Sequence, residues 1–263
     1  MIVVENYHKV YDKTIAVSGL SFTVEAGQVL GLVGPNGAGK TTTIRAITGI
    51  IPPTRGQLSV AGHDVVADPV QAKRRFAYIP DEPKLFELLT VTEHLKFTAQ
   101  AYEVPADVAA ERTEDLLKRF DLIEKRDALA QELSRGMRQK VAICCAYLHA
   151  PDAIFFDEPL TGLDPRAIRT LKDSIRERAE NGAAVVISSH LLSLVEDLCT
   201  HLLILNRGQS LFCGPLHELR SAFSELSADA SLEDVFFYAT DNAHADSSDT
   251  TSLGAAVTDE GVP

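Results

Sequence analysis

One stretch constrains the fold of this chain more than any other: Gly34-Pro35-Asn36-Gly37-Ala38-Gly39-Lys40-Thr41, with Thr42 and Thr43 behind it. It fits the pattern G-x-x-x-x-G-K-[ST]. Glycines at 34, 37 and 39 permit positive φ and remove the Cβ atoms that would keep a ligand away from the backbone. Successive N–H groups can then turn inward as an anion nest. The residues from Thr41 to Ile47 read as the first turns of a helix, whose free N–H groups and dipole favour negative charge. Lys40 is placed to reach the β- and γ-phosphates of a nucleotide, and the Thr41 hydroxyl to ligate Mg²⁺. Directly upstream, Gln28-Val29-Leu30-Gly31-Leu32-Val33 is an apolar run of strand length. Strand, glycine loop and helix follow in the order that phosphate binding requires.

The 263 residues suit one large domain or two small ones. No apolar run approaches the ~20 residues needed to span a bilayer. Met1-Ile2-Val3-Val4 meets Glu5 without the basic region of a signal peptide. Cys144, Cys145, Cys199 and Cys213 show neither C-x-x-C nor metal-ligand spacing, which points to reduced thiols in the cytoplasm. The net charge of −12 is lopsided, because no Lys or Arg follows Arg220 and the acids beyond it leave only −3 on the first 220 residues. Neither part has the basic excess of a duplex nucleic-acid binder.

Short apolar runs alternate with turns over residues 1–33, predicting a β region. Residues 57–61 form another short strand, and Ala77-Tyr78-Ile79 ends at Pro80-Asp81-Glu82-Pro83, where two prolines exclude a continuing helix. From Val91 to about Ala150 the period becomes helical, with Leu116, Leu117 and Phe120 sharing one face and Ser134 able to cap a third helix. Ala153-Ile154-Phe155-Phe156 is a continuous apolar run, typical of a parallel strand covered on both faces. Helices near 165–180 and 191–198 alternate with strands at 183–187 and 202–205. From Asp241 the composition is Ser, Thr, Asp and Ala without an apolar period, which predicts a disordered tail.

The strand at 153–156 ends in Asp157-Glu158. Beside a phosphate loop, such a strand delivers one acid to the metal, and the next acid can polarise an attacking water as general base. Here the chain closely resembles the ATP-binding cassette (ABC) ATPases. Leu133-Ser134-Arg135-Gly136-Met137-Arg138-Gln139 resembles the family signature, Leu160-Thr161-Gly162-Leu163-Asp164 the D-loop, and Ser188-Ser189-His190 the switch histidine. Tyr11, upstream of Ala16-Val17, is similar to the aromatic that stacks on adenine. Order and spacing agree from about residue 2 to 219.

The resemblance implies an α/β fold: a P-loop NTPase core with a mostly parallel sheet, an N-terminal antiparallel β region and an inserted α-helical subdomain. It implies an ATPase domain over 1–220 (helical subdomain about 84–150), a closing segment over 221–240 and an acidic tail over 241–263. ATP and Mg²⁺ are the implied cofactors. Tyr11, Val17, Gly34, Asn36, Gly37, Ala38, Gly39, Lys40, Thr41 and Thr42 would hold ATP. Thr41, Asp157 and Asp81 would face the metal, and Glu158, His190 and Lys40 would serve catalysis.

Two such domains would pair head to tail, each ATP lying between one phosphate loop and the partner's Ser134, Arg135, Gly136 and Met137. Asp164 would organise that contact. Two departures stand out: Asp81 where the family usually has Gln, and Arg135 and Met137 where Gly and Gln are commonest. Proline-acid-acid-proline after the strand, and Ser231-Leu232-Glu233-Asp234-Val235-Phe236, resemble export-type members. The reading is therefore an ATPase subunit on the cytoplasmic face of the membrane, a homodimer attached peripherally through a separate permease, with no nucleic acid as partner. Asp81 to about Leu95 would line the permease groove, with Leu85, Phe86 and Leu88 as apolar candidates. Two alternatives stay open: a soluble ABC ATPase acting on nucleic acid or ribosomes, and a regulatory nucleotide-binding subunit.

Overall fold

The structure is a computed structural model that describes residues 1–223 and 231–245. Two sheets carry it. A long hairpin of β1 (Ile2–Tyr11) and β2 (Thr14–Val24) joins β4 (Arg55–Val60) and β5 (His63–Asp64) in an antiparallel sheet of order β2-β1-β4-β5. The second sheet has the order β10-β9-β3-β8-β7-β6, formed from β3 (Val29–Val33), β6 (Phe76–Ile79), β7 (Ala153–Asp157), β8 (Ala184–Ser188), β9 (His201–Asn206) and β10 (Gln209–Pro215). Its pairings are parallel except for the β9–β10 hairpin.

Every residue of β3, β7 and β8 is buried, as expected of parallel strands covered on both faces. The two-residue period of a strand divides their side chains between two cores. Leu30, Leu32, Phe155 and Val186 face α1 (Lys40–Ile47) and the antiparallel sheet, where they meet Ile44, Ile47, Ile2, Val4, Leu20 and Leu58. Val29, Val33, Phe156 and Ile187 face the opposite core, together with Leu95, Leu117, Ile143, Leu171 and Leu194 from the helices on that side. Full burial of a side chain the size of Phe156 contributes about 1.5–3 kcal/mol.

Between β6 and β7 lie α3 (Val91–Ala101), α4 (Ala106–Arg119) and α5 (Arg135–Leu148). Thr90 and Glu93 close a reciprocal capping box at the start of α3. Ser134 caps α5, its Oγ accepting from the Met137 N–H at 3.3 Å. α6 (Pro165–Glu180) is capped by Asp164, and α5 packs on it through Tyr147, whose hydroxyl lies 2.9 Å from Ser174 Oγ. Burial pushes that phenol up to about 12.

Several elements differ from the sequence reading. The apolar runs before Glu25 are one long hairpin, because bulges near Asn6 (φ 46°) and between Tyr7 and Lys9 interrupt the alternation. The polar α2 (Pro69–Arg75) and the partly exposed β10 carry no apolar period to announce them. Behind α7 (Leu192–Leu198) and the short α8 (Leu219–Ala222), helix α9 spans Leu232–Ala245 and so passes Asp241, where the tail was expected to begin. Burial of Leu232, Val235 and Ala239 and the bond from Asn206 Nδ2 of β9 to the Thr240 carbonyl give this helix an anchored face that a compositional reading overlooks. The rest of the expected tail lies outside the described residues.

His149, which follows α5, stacks on Tyr102 with ring centroids 3.8 Å apart, and its Nε2 lies 3.3 Å from the Phe76 carbonyl. Burial lowers its pKa from an ordinary 6.5 to about 4, opposed by that hydrogen bond. The unfolded chain therefore takes up a proton in this window before the folded chain does, and stability falls as pH drops through it. The melting temperature of the unaltered chain should decline more steeply from pH 6.5 towards pH 4 than that of His149→Phe, which stacks but does not titrate. Parallel pH profiles would rule out this contribution.

Candidate functional site

The phosphate loop leaves the C-terminal end of β3 and runs into α1. Gly37 (φ 80°) and Gly39 (φ 105°) both adopt left-handed backbone conformations. A Cβ at Gly39 would lie 2.8 Å from the Ala16 carbonyl, whereas one at Gly37 would meet nothing within 4 Å. One glycine is required by the packed underside of the loop, the other sits on its open side.

Above the loop is a cavity of about 270 Å³ lined by Ala16, residues 36–42, Glu158 and Ser188. Lys40 Nζ donates to the Gly34 carbonyl at 2.6 Å and to the Pro35 carbonyl at 3.3 Å. Burial lowers the Lys40 pKa, and the charges of Glu158 and Asp157 oppose that fall. At the floor, Thr41 Oγ1 donates to Asp157 Oδ1 at 3.4 Å. Nearby, the Tyr78 pKa is raised by burial and then by the Asp157 charge.

Glu158, at the strand end with φ 50°, places Oε2 2.8 Å from His190 Nδ1. The His190 backbone N–H reaches the same oxygen at 3.4 Å. A carboxylate fixed by an imidazole beside an anion nest has the arrangement of a base and its orienting partner. Gly34 and His190 also border an adjoining cavity of about 230 Å³, which Phe236 of α9 helps to line.

The other candidate residues lie elsewhere. Val17 is completely buried behind Gly39, and Ala16 lines the cavity in its place, because strand alternation turns residue 17 inward. Tyr11 stands at the hairpin end, 44% exposed, with Lys9 Nζ 4.9 Å from its ring centroid, and does not line the phosphate cavity. Ser134, Arg135, Gly136 and Met137 do not line it either. Asp164 is held at the start of α6: its Oδ1 accepts from the Ala167 N–H at 2.9 Å and its Oδ2 lies 3.5 Å from Lys140 Nζ. The Ala167 N–H, followed by Lys140, keeps its carboxyl below the usual range.

Asp81, expected at the metal, is instead paired with Arg135, Oδ1 to guanidinium at 3.2 Å. The two departures from the family pattern thus meet each other across 54 residues of chain. The Arg135 stem also lies against Gly162, and a Cβ at Gly136 would run into the Gly162 carbonyl. No cluster of three or more His, Cys, Asp or Glu side chains suited to a metal occurs among the described residues. The hydroxyl and carboxylate oxygens of Thr41 and Asp157 nevertheless fit Mg²⁺, a hard cation that keeps most of its waters and takes few protein ligands. Sequence reasoning missed Tyr78 and Ser188, which adjoin Asp157 only through the sheet register.

The family model described as ABC transporter matches residues 17–161. The ABC-type transporter ATP-binding protein EcsA of Bacillus subtilis is 39% identical over 226 residues, covering 86% of this chain and 91% of that protein. The Nod factor export ATP-binding protein I of Ralstonia nicotianae is 35% identical over 216 residues, covering 82% of this chain and 67% of that one. A solved structure described as the ATP binding subunit of an ABC transporter is 35% identical with a TM-score of 0.87, covering 91% of this chain and 99% of its own.

The turn between β9 and β10 clasps the phosphate loop: the Gly208 N–H donates to the Ala38 carbonyl at 2.9 Å, and the Ser18 N–H to the Gly208 carbonyl at 2.8 Å. With φ 77° and the Ala16 carbonyl 2.5 Å from an added Cβ, Gly208 admits no side chain without backbone movement. Gly208→Ala should cost about 1–3 kcal/mol by chemical denaturation and weaken nucleotide binding. Gly182→Ala, at φ 93° with open space around it, should leave nucleotide affinity unchanged. Equal affinities in the two variants would show that the clasp does not shape the loop.

Proposed function

We propose that this chain, which belongs to the ABC transporter family, drives substrate movement through a separate membrane permease by binding ATP between two head-to-tail copies of itself. It is an ATP-binding subunit and an ATPase of that family. The observation carrying the mechanistic reading is the 2.8 Å bond between Glu158 and His190 at the rim of the phosphate cavity.

ATP phosphates entering the cavity offer Lys40 acceptors stronger than the loop carbonyls it now holds, because bonds to ionised oxygens exceed those to neutral ones. The nest of residues 36–41 supplies backbone N–H donors to the same phosphates. Thr41 and Asp157 would hold Mg²⁺, which would supply neutralising charge to the phosphates. Glu158 takes the proton of the attacking water. His190, donating from Nδ1, fixes the direction of that carboxylate and leaves Nε2, an acceptor in the neutral ring, to take a hydrogen bond from the attacking water. Asp81 is left out of the metal set, since Arg135 already neutralises its carboxylate.

In the dimer, Ser134 and the N–H of Gly136 at the start of α5 face the γ-phosphate held by the partner, where the helix dipole favours negative charge. Residues of the described chain contribute no helix long and apolar enough to cross a membrane. In this reading the permease is a second polypeptide, and this subunit sits peripherally on the cytoplasmic face. Its docking groove lies beside Pro83, Lys84 and Leu85, around a cavity of about 270 Å³. Phe86 and Leu88, 58% and 75% exposed, stand next to it as apolar contacts. Export is the favoured direction, supported by the relative that carries export in its name.

Glu158→Gln should reduce ATP turnover at least 100-fold and accumulate an ATP-dependent dimer visible by light scattering. Unchanged turnover would remove Glu158 as the general base. Purification from native membranes in mild detergent should recover a multi-span protein in near-equal amount. Recovery only with ribosomes or DNA would overturn the transporter reading and favour a soluble ATPase.

A further inference from the structure

Ser188 ends β8, a strand that is otherwise Ala, Val, Val and Ile. It pairs in register with Asp157 on one side and Leu32 on the other. The period of the sheet puts its side chain on the face shared by Leu32, Phe155 and Val186, which is the face covered by α1. Ser188 therefore flanks Asp157 directly beneath the start of the phosphate-loop helix.

The residue has no solvent exposure, and its Oγ has no hydrogen-bond partner among the described residues. A buried hydroxyl left unsatisfied carries a desolvation penalty, and an apolar residue would fill this position in the strand without one. The same residue contributes to the wall of the cavity lined by Lys40, Thr41 and Glu158. A buried hydroxyl that has no partner among the described residues and adjoins the oxygen donors of the floor is placed to be satisfied by a ligand of the cavity.

We infer that Ser188 is a binding residue of the nucleotide site, its hydroxyl contacting the Mg²⁺-held water or phosphate oxygen nearest Asp157. The inference rests on the reading of the cavity as an Mg²⁺–ATP site. Thr41 and Asp157 supply the metal's own ligands, and Ser188 adds a neutral hydroxyl that can both donate and accept. It thereby adjusts to a bound water on one side and the Asp157 carboxylate on the other.

The role separates from a merely structural one by the sign of two effects. Removing an unsatisfied hydroxyl stabilises the nucleotide-free chain, whereas removing a ligand contact weakens binding. Ser188→Ala should therefore raise the melting temperature of the nucleotide-free protein by about 1–4 °C. The same substitution should weaken a non-hydrolysable ATP analogue with Mg²⁺ roughly 5- to 30-fold in calorimetric titration. If the contact is a metal-held water, the loss disappears when the titration is repeated in EDTA. If it is a phosphate oxygen, the loss persists there. Ser188→Thr, which keeps the hydroxyl, should recover most of the affinity.

A lowered melting temperature, or unchanged affinity under both conditions, overturns the role of Ser188 while leaving the nucleotide site in place. Failure of the unaltered chain to bind the analogue at all overturns the underlying reading, and this inference with it.

Discussion

The chemistry of this molecule depends on one packing constraint: β3 is buried on both faces between β8 and β9, and β8 is buried in turn against β7. Parallel strands run the same way, so they end at the same edge. The phosphate loop, the Asp157-Glu158 pair and the Ser188–His190 segment consequently leave the sheet side by side. This is the edge at which open α/β sheets bind their ligands. The register then sets which atoms meet. Asp157 lies opposite Ser188, and the next residue, Glu158, donates its N–H to the Ser188 carbonyl at 3.0 Å. A slip of one residue would turn Asp157 into the opposite core and send an apolar neighbour to the cavity.

Much of this was legible in the sequence, for a physical reason. The constraints on the phosphate loop are local: glycines for backbone shape, lysine and threonine at the first turn of a helix, an apolar strand before them. Helix caps are local too, and Ser134 and Asp164 cap α5 and α6 as their side-chain chemistry predicts. Legibility failed where long-range packing decided the outcome. Whether Val17 or Ala16 faces the cavity depends on the phase of a bulged strand. The hydroxyls of Tyr78 and Ser188 reach the Asp157 neighbourhood only because β6 and β8 flank β7.

The pairing of Asp81 with Arg135 shows how two departures from a family pattern become one feature. Taken singly, Asp81 adds a negative charge near phosphates and Arg135 enlarges a position where glycine is usual. Together they form an ion pair from the segment after β6 to the first residue of α5, while the Arg135 stem rests on Gly162. Both side chains are about half exposed, so the pair adds little to stability. Its importance is geometric, since it ties the start of α5 to the loop that leaves the sheet. The resemblance alone could identify each residue as unusual, but the contact between them belongs to the tertiary structure.

The clasp of Gly208 on the phosphate loop also bears on how the molecule is made. The loop is synthesised early, yet the backbone groups that grip it from below come from Ala16 and from a turn laid down far later, at Gly208. Closing that contact spans most of the cassette, and contacts of such long sequence separation form slowly because chain closure must precede them. A nascent chain on the ribosome therefore carries its most recognisable motif through most of its synthesis without the frame that gives the motif its shape. Nucleotide capture is a property of the finished sheet rather than of the growing chain, and during synthesis the apolar strand that feeds the loop is left waiting for the partner strand that arrives last.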